Sequence, residues 1–230
     1  MTGEAVKQQI EKIKKRGARR VAIVGACVLG ALLLVDVAWT FTGSGQWRVI
    51  RDDNGVKVYA LKTPGAGVEQ FKGTLRLHAA LPAVVKLTVD PVLVKALGAY
   101  ESRFLGGDEN MSFSSFRMDV LRPLPFRPRE SVFSVLKYMN PATHELLLQV
   151  RAVPDKLPPS QCCFRVTQMN NSWRFIPAGP DQTDVEWLLN EDLGGFVPDF
   201  IKNRKWSNLM FNFLTQMRAR SRVYQQPPAK

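Results

Sequence analysis

The chain has 230 residues, of which 45% are hydrophobic, and its 32 basic and 20 acidic side chains give a formal net charge of +12. This length fits one domain with appendages or two small domains, with enough apolar residues for a buried core. The positive charge is scattered and no zinc-finger, helix-turn-helix or aromatic RNA-reading pattern accompanies it, which argues against nucleic acid as a partner.

The first predicted element is a helix long enough to cross a membrane. Residues 21–41, VAIVGACVLGALLLVDVAWTF, carry one charge, and a helix of this length covers about 31 Å, the thickness of a hydrocarbon core. That charge, Asp36, lies toward the exit end, where we expect water to reach it, and Trp39 is expected at the membrane interface. A cleaved signal peptide is the alternative, but cleavage after Ala38 would put Asp36 where a small residue is required.

The distribution of lysine and arginine predicts the orientation of this segment. Seven basic residues precede it, whereas the twenty residues after it contain Arg48, Arg51 and Lys57. The positive-inside rule therefore places residues 1–20 in the cytoplasm and the rest outside, which in a bacterium is the periplasm. We expect a single-pass protein of the inner (cytoplasmic) membrane, whose basic segment either lies on anionic headgroups or is a solvated tail.

After a short linker at residues 42–46, apolar and polar residues alternate with the period of β-strands. Because each predicted strand has one apolar and one polar face, the pattern indicates an antiparallel sheet, with Glu186 on the solvent face. Residues 81–97 instead predict two short helices separated at Asp90 and Pro91. The predicted strands lie within residues 55–62, 68–79, 144–153, 162–168, 173–175 and 183–190, with turns at residues 154–160, 170–172 and 177–182.

The last predicted element is an amphipathic helix of about 24 residues that begins at Pro198. Its expected apolar face consists of Phe200, Asn203, Trp206, Met210, Phe213, Leu214 and Met217, and its polar face of Lys202, Lys205, Asn208, Asn212 and Gln216. The apolar face of this helix must pack against another apolar surface. The apolar face of the predicted sheet is large enough to be that surface. The prediction is an α+β helix-grip fold, a curved antiparallel sheet wrapped around the C-terminal helix, with Gly194, Gly195 and Pro198 as a hinge or lid that redirects the chain.

The order of these elements resembles a known family. The run WRFIPAGPDQTDVEWLLNEDLGGFVPDFIKN (residues 173–203) resembles the C-terminal signature of START domains, the lipid-transfer domains related to steroidogenic acute regulatory protein. The segments WRVIRDDNGVKVYA (47–60) and RPLPFRPRESVF (122–133) are similar to the family's opening hairpin and its proline-rich segment. The resemblance covers residues 47–222 and leaves 223–230 as an expected disordered tail. It implies a hydrophobic tunnel between sheet and helix that holds one sterol, fatty acid or phospholipid.

The resemblance and the apolar pattern together nominate residues for that tunnel, although each of them could equally be core packing. Arg117 is the candidate for binding a lipid headgroup. Arg129 and Glu130 are expected to form an exposed ion pair of little energetic value. The candidates for apolar contact are Phe116, Leu148, Phe164, Trp187, Phe200, Met210 and Phe213.

No residue pattern predicts a catalytic, metal or cofactor site. His78 and His144 lack neighbours at metal-ligand spacing, and nucleophile-elbow, phosphate-loop and dinucleotide motifs are missing from the sequence. The adjacent residues Cys162 and Cys163 would form a strained bridge, so we expect the cysteines to fill core. Two alternatives remain: an exported interaction domain with a collapsed pocket, docking through Lys202, Arg204 and Lys205, or a pocket enzyme similar to polyketide cyclases.

Overall fold

The computed structural model describes residues 3–119, 121, 122 and 126–222. Its first element is α1 (Gly3–Thr40), a continuous helix of 38 residues in which the predicted basic segment and apolar segment are joined without a break. The part of α1 from Lys14 to Thr40 is long and apolar enough, by length and composition, to cross a membrane. Its apolar side chains, Cys27 among them, are exposed rather than packed in a core.

Beyond α1 the chain forms one large curved sheet. Its strand order is β1-β2-β3-β10-β9-β7-β6-β5-β4, and every pair of neighbours in that order is antiparallel. Strand β8 runs parallel to β6, and β11 pairs with β9. The strands are β1 (Trp47–Asp53), β2 (Val56–Leu61), β3 (Gln70–Leu77), β4 (Ala99–Gly107), β5 (Met111–Met118), β6 (Arg129–Met139), β7 (Leu146–Ala152), β8 (Phe164–Val166), β9 (Gln168–Gly179), β10 (Gln182–Leu189) and β11 (Glu191–Asp192).

Three helices pack on this sheet: α2 (Leu81–Leu87), α3 (Pro91–Ala96) and α4 (Asp199–Ser221), with a 3-10 turn at Pro154–Lys156. Helix α4 lies across β2 and β3 and contacts α2 and α3. It approaches β3 closely because residue 73 is glycine: a Cβ there would be 2.3 Å from Leu214 Cδ1 and 3.0 Å from Met210 Sδ. The helix-grip prediction is therefore confirmed.

The predicted faces of α4 are largely those of the structure, with two corrections. Trp206, Met210 and Phe213 are buried as expected, but Phe200, expected to be apolar-facing, is 49% exposed. Lys202, expected on the polar face, is 5% exposed. Its ammonium lies 3.0 Å from an Asp192 oxygen and 2.7 Å from an Asp199 oxygen, so paired charge rather than solvent satisfies it.

The last turn of α1 contacts the domain through hydrogen bonds. Asp36 Oδ1 accepts from the backbone N–H of Asp199, the first residue of α4, at 2.9 Å. Trp39 Nε1 donates to the carbonyl of Gly67 at 2.9 Å, and the Gly65 N–H donates to the carbonyl of Thr40 at 2.8 Å. Asp36 and Trp39, whose expected places in water and at the membrane interface stay predictions, form an anchor junction between α1 and the domain, which we define as Asp36, Trp39, Thr40 and residues 65–67.

Two further local predictions are wrong. Residues 170–172, expected to form a turn, lie inside β9, because the buried Asn171 finds partners within the sheet. Cys162 and Cys163, expected to be free core residues, are joined in a disulfide. The middle of the proline-rich segment, residues 123–125, and the expected disordered tail, residues 223–230, lie outside the described residues.

Candidate ligand-binding cavity

A cavity of about 460 Å³ lies between the concave face of the sheet and α4. Its walls come from alternate residues of neighbouring strands, because successive side chains on a strand point to opposite faces. Strand β5 contributes Ser112, Ser114, Phe116 and Met118, for example, and β7 contributes Leu148 and Val150. The helix closes the other side with Trp206 and Phe213.

Three aromatic rings join helix and sheet along this cavity. Trp173 and Trp187, paired across β9 and β10, stack with centroids 4.6 Å apart and planes 9° from parallel. The ring of Phe213 lies 5.7 Å from that of Trp173 and 5.2 Å from that of Trp187. Such rings supply large apolar area in few conformations, so they form a rigid wall at this point.

Four of the residues predicted to contact a ligand line the cavity: Phe116, Leu148, Trp187 and Phe213. Their contact with a ligand stays a prediction, since packing alone would place them there as well. Met210 is fully buried but belongs to the contact of α4 with Gly73 rather than to the cavity lining. Phe200 is half-exposed at the start of α4 and lies outside the lining too.

Phe164 and Arg117 are placed away from the cavity. Phe164 is 39% exposed on β8, with the guanidinium groups of Arg127 and Arg129 each 5.4 Å from its ring centroid. Arg117 has the opposite parity to Phe116 on β5 and therefore points to the outer face, where Glu130 and Glu101 accept from it at 2.8 and 2.7 Å. Those hydrogen bonds raise the pKa of Arg117.

Arg129 and Glu130, expected to form an exposed pair, are both buried and do not pair with each other. Arg129 donates to the carbonyl groups of Leu193 at 3.1 Å and Gly194 at 2.9 Å. Burial lowers the pKa of its guanidinium, against the opposing effect of nearby Asp192 and Asp119. Arg129 thus fixes the chain where Gly194 and Gly195 take positive φ values of 64° and 71°.

A buried carboxyl group on the cavity wall, Glu191, was missed in the sequence. Glu191 is 5% exposed, and its Oε2 accepts from Asn171 Nδ2 at 3.0 Å while its Oε1 lies 3.5 Å from Ser131 Oγ. Burial raises the pKa of Glu191 to about 7, although the two hydrogen bonds act in the opposite direction. The sequence held a signal for it: Glu191 continues the odd-numbered apolar series of Val185, Trp187 and Leu189.

Trp206, on the opposite side of the cavity, has a buried polar atom. Its indole Nε1 is buried and has no hydrogen-bond partner within the residues that the structure describes. The mouth of the cavity is marked by two exposed lining residues. Val89 and Phe104 line the cavity and are each 71% exposed. Arg103 lies beside them and is also exposed.

Comparison with known proteins gives a consistent set of similarities. No family model matches the sequence. An uncharacterised protein of Pseudomonas aeruginosa is 23% identical over 209 residues, covering 89% of this chain and 97% of that protein. The crystal structure of the STAR-related lipid transfer protein of Xanthomonas axonopodis superposes with a TM-score of 0.69 at 25% identity, covering 78% of this chain and 99% of the other. Human StAR-related lipid transfer protein 5 superposes with a TM-score of 0.65 at 17% identity, covering 88% and 99%.

Proposed function

We propose that this chain, which has the fold of START domains, holds one lipid molecule in the cavity between sheet and α4 while α1 tethers it to a membrane. The observation that carries this proposal is the cavity itself. Its volume of about 460 Å³ falls in the range of roughly 300–1,000 Å³ usual for small-molecule pockets. A volume in the lower half of that range favours a ring lipid or a single-chain lipid over a two-chain phospholipid.

Entry of the lipid is proposed at the mouth formed by Val89 and Phe104, whose exposed apolar side chains would contact an incoming acyl chain or ring. The mouth would widen by movement of α4 about Gly194, Gly195 and Pro198. That movement must break the two hydrogen bonds from Arg129 to the carbonyls of Leu193 and Gly194. The proposed hinge movement therefore costs the free energy of these two hydrogen bonds.

The membrane assignment combines the length of α1 with its charges. We propose an inner (cytoplasmic) membrane location with residues 1–20 inside and the START domain in the periplasm, supported by the excess of lysine and arginine before the apolar segment. The short segment between Thr40 and Trp47 would then keep the cavity near the outer leaflet of that membrane. Protease added to spheroplasts should digest the domain; digestion only after lysis would contradict this orientation.

The two alternative functions are less well supported. An interaction domain with a collapsed pocket conflicts with an open cavity of this size. A pocket enzyme would have Glu191 as its acid–base group, but the described residues that line the cavity include no histidine or cysteine to complete a nucleophilic site. Binding without chemical conversion, for storage, sensing or transfer of a lipid, is the function that we propose.

Native mass spectrometry of the full chain extracted from membranes tests the proposal. The wild type should retain one lipid of unaltered structure, or take one up from sterol, fatty acid or phospholipid. Val150→Trp should abolish the bound mass, because Val150 lines the cavity and the indole would fill it. Gln149→Trp, on the opposite face of β7, is the matched control and should leave occupancy unchanged. An empty wild type, full occupancy in folded Val150→Trp, or a chemically converted lipid would overturn the proposal.

A further inference from the structure

The polar groups of the cavity are concentrated around one carboxyl group. Glu191 receives a hydrogen bond from Asn171 Nδ2 at 3.0 Å and lies 3.5 Å from Ser131 Oγ, and all three residues line the cavity. Each of the three is at most 7% exposed. Asn171 is itself fixed, since its Oδ1 accepts from the backbone N–H of Asn190 at 2.8 Å. We call Glu191, Asn171 and Ser131 the polar patch.

The charges around the polar patch restrict what it can bind. Within the described part of the chain, the cation that lines the cavity is Arg103, which is exposed at the mouth. Asp192 forms an ion pair with Lys202 at 3.0 Å. The side chains that face Glu191 from β6 and β9 are the uncharged Ser131 and Asn171. A phosphate or carboxylate group buried here would meet a carboxyl group and no buried cation, which is strongly unfavourable.

A hydroxyl group has the complementary chemistry. The hydrogen bonds found for Glu191 among the described residues are ones that it accepts, so its protonated form has an O–H that can donate to a ligand or to the hydroxyl oxygen of Ser131. A lipid hydroxyl would accept from that O–H, and it would donate to the carboxylate when Glu191 is ionised. Burial, which raises the pKa of Glu191 to about 7, keeps both forms accessible near neutrality.

We propose that the polar patch binds the hydroxyl group of an uncharged lipid, with Glu191 as the direct partner and with Asn171 and Ser131 holding its carboxyl group in place. This rests on the proposed function, that is, on a lipid occupying the cavity. Sterols and monoacylglycerols are two sources of such a hydroxyl group. Fatty acids and phospholipids are disfavoured.

The test uses the full chain in amphipol and energy transfer from its tryptophans to dehydroergosterol, a fluorescent sterol with a free hydroxyl group. Trp173, Trp187 and Trp206 line the cavity, so transfer reports binding there. Wild type should bind dehydroergosterol about tenfold more tightly than its acetate, because the ester cannot donate to the patch. Monooleoylglycerol as a competitor separates the two sources: displacement assigns the site to hydroxyl lipids generally, and its failure assigns it to sterols.

Variants of Glu191 test whether this residue causes the preference for the sterol over its acetate. Glu191→Leu should bind the sterol and its acetate equally weakly, whereas Glu191→Gln should keep part of the preference, because a carboxamide also donates and accepts. Glu186→Leu, on the solvent face of β10, should discriminate like the wild type. A folded Glu191→Leu that still discriminates, or a wild type preferring oleate or dioleoylphosphatidylglycerol to both hydroxyl lipids, would overturn the proposal. A wild type that binds none of these lipids would instead refute the proposed function.

Discussion

Three buried charged side chains of this domain differ in what surrounds each of them. Arg129 is held by backbone carbonyl groups, and burial lowers its pKa. Lys202 is also disfavoured by burial, but Asp199 and Asp192 outweigh that effect and raise its pKa. Glu191 has an amide and a hydroxyl as neighbours instead of a cation, so burial dominates and its pKa rises to about 7. Of the three, Glu191 is the group whose charge changes near neutral pH.

The raised pKa of Glu191 predicts how stability depends on pH. The folded state binds this proton more tightly than the unfolded state, so the Glu191 contribution favours folding at low pH and is lost as pH rises from 4.5 to about 7. Over that interval, at about 1.4 kcal/mol for each pH unit, the free energy of unfolding should fall by roughly 3 kcal/mol. Unfolding of the full chain in micelles, followed by near-ultraviolet circular dichroism from pH 4.5 to 8, should show the decline.

Two variants assign that decline to one residue. Glu191→Gln carries no titrating group, so its stability should change less between pH 4.5 and 7 than that of the wild type. Glu186→Gln removes a half-buried carboxylate that lies 3.5 Å from Arg174 on the other face of the sheet, and should keep the wild-type profile. A Glu191→Gln profile as steep as the wild type would show that Glu191 is ionised throughout this range.

At the scale of elements, the start of α4 depends on a residue far away in sequence. Pro198 occupies the N-cap position and supplies no side-chain acceptor, so the N–H of Asp199 is bonded instead by Asp36 from α1. A carboxylate at this point also complements the positive end of the helix dipole. The anchor junction therefore makes the end of α1 part of the structure of α4.

Removing that cap should loosen the first turn of α4. Asp36→Ala should lose about 1 kcal/mol of local stability, which corresponds to roughly fivefold faster amide hydrogen exchange at residues 199–202. Asp36→Asn is the control, since its amide oxygen still accepts, and it should stay near the wild-type rate. Exchange measured by mass spectrometry on the full chain in nanodiscs distinguishes them. Unchanged exchange in Asp36→Ala would mean that α1 does not support α4.

The elements that the sequence predicted well are those governed by local periodicity. Strand β10 and the body of α4 follow from alternation and helical spacing, because burial of one face dictates those patterns. The turn prediction at residues 170–172 is wrong because Asn171 is hydrogen-bonded to Glu191 of β11 and to the backbone of Asn190. Both partners are distant in sequence, so no local pattern contains these contacts. Lys202 failed for the same reason: Asp192, rather than the helix pattern, decides what surrounds it.

The candidate site was predicted less completely than the fold. Residues whose parity was clear, such as Leu148 and Trp187, were placed on the cavity face correctly. Arg117 was misplaced because the bulges in β4 and the irregular alternation of β5 obscured its parity. The polar patch was missed because Glu191 stands next to a turn sequence, where an acidic residue is ordinarily solvated.

At the scale of the whole molecule, α4 links the end of α1 to the segment beside the mouth of the cavity. Its N-terminal end bonds to Asp36 of α1, and near its C-terminal end Arg220 donates to Asp90 Oδ2 at 2.7 and 2.9 Å. Asp90 caps α3 directly after Thr88 and Val89, which line the cavity. One helix of 23 residues, about 34 Å long, thus contacts α1, contributes to the cavity wall and bonds to Asp90 beside the mouth.

Photo-crosslinking of a diazirine-bearing lipid to the full chain in liposomes, with the modified residues identified by mass spectrometry, tests most directly whether a lipid occupies this cavity. We predict adducts on the cavity residues Leu148, Trp187 and Phe213, with loss of those adducts in Val150→Trp but not in Gln149→Trp. Adducts confined to α1 and to the exposed rings of Phe196 and Phe200 would contradict the account, because they would show a domain that touches the membrane without taking a lipid inside.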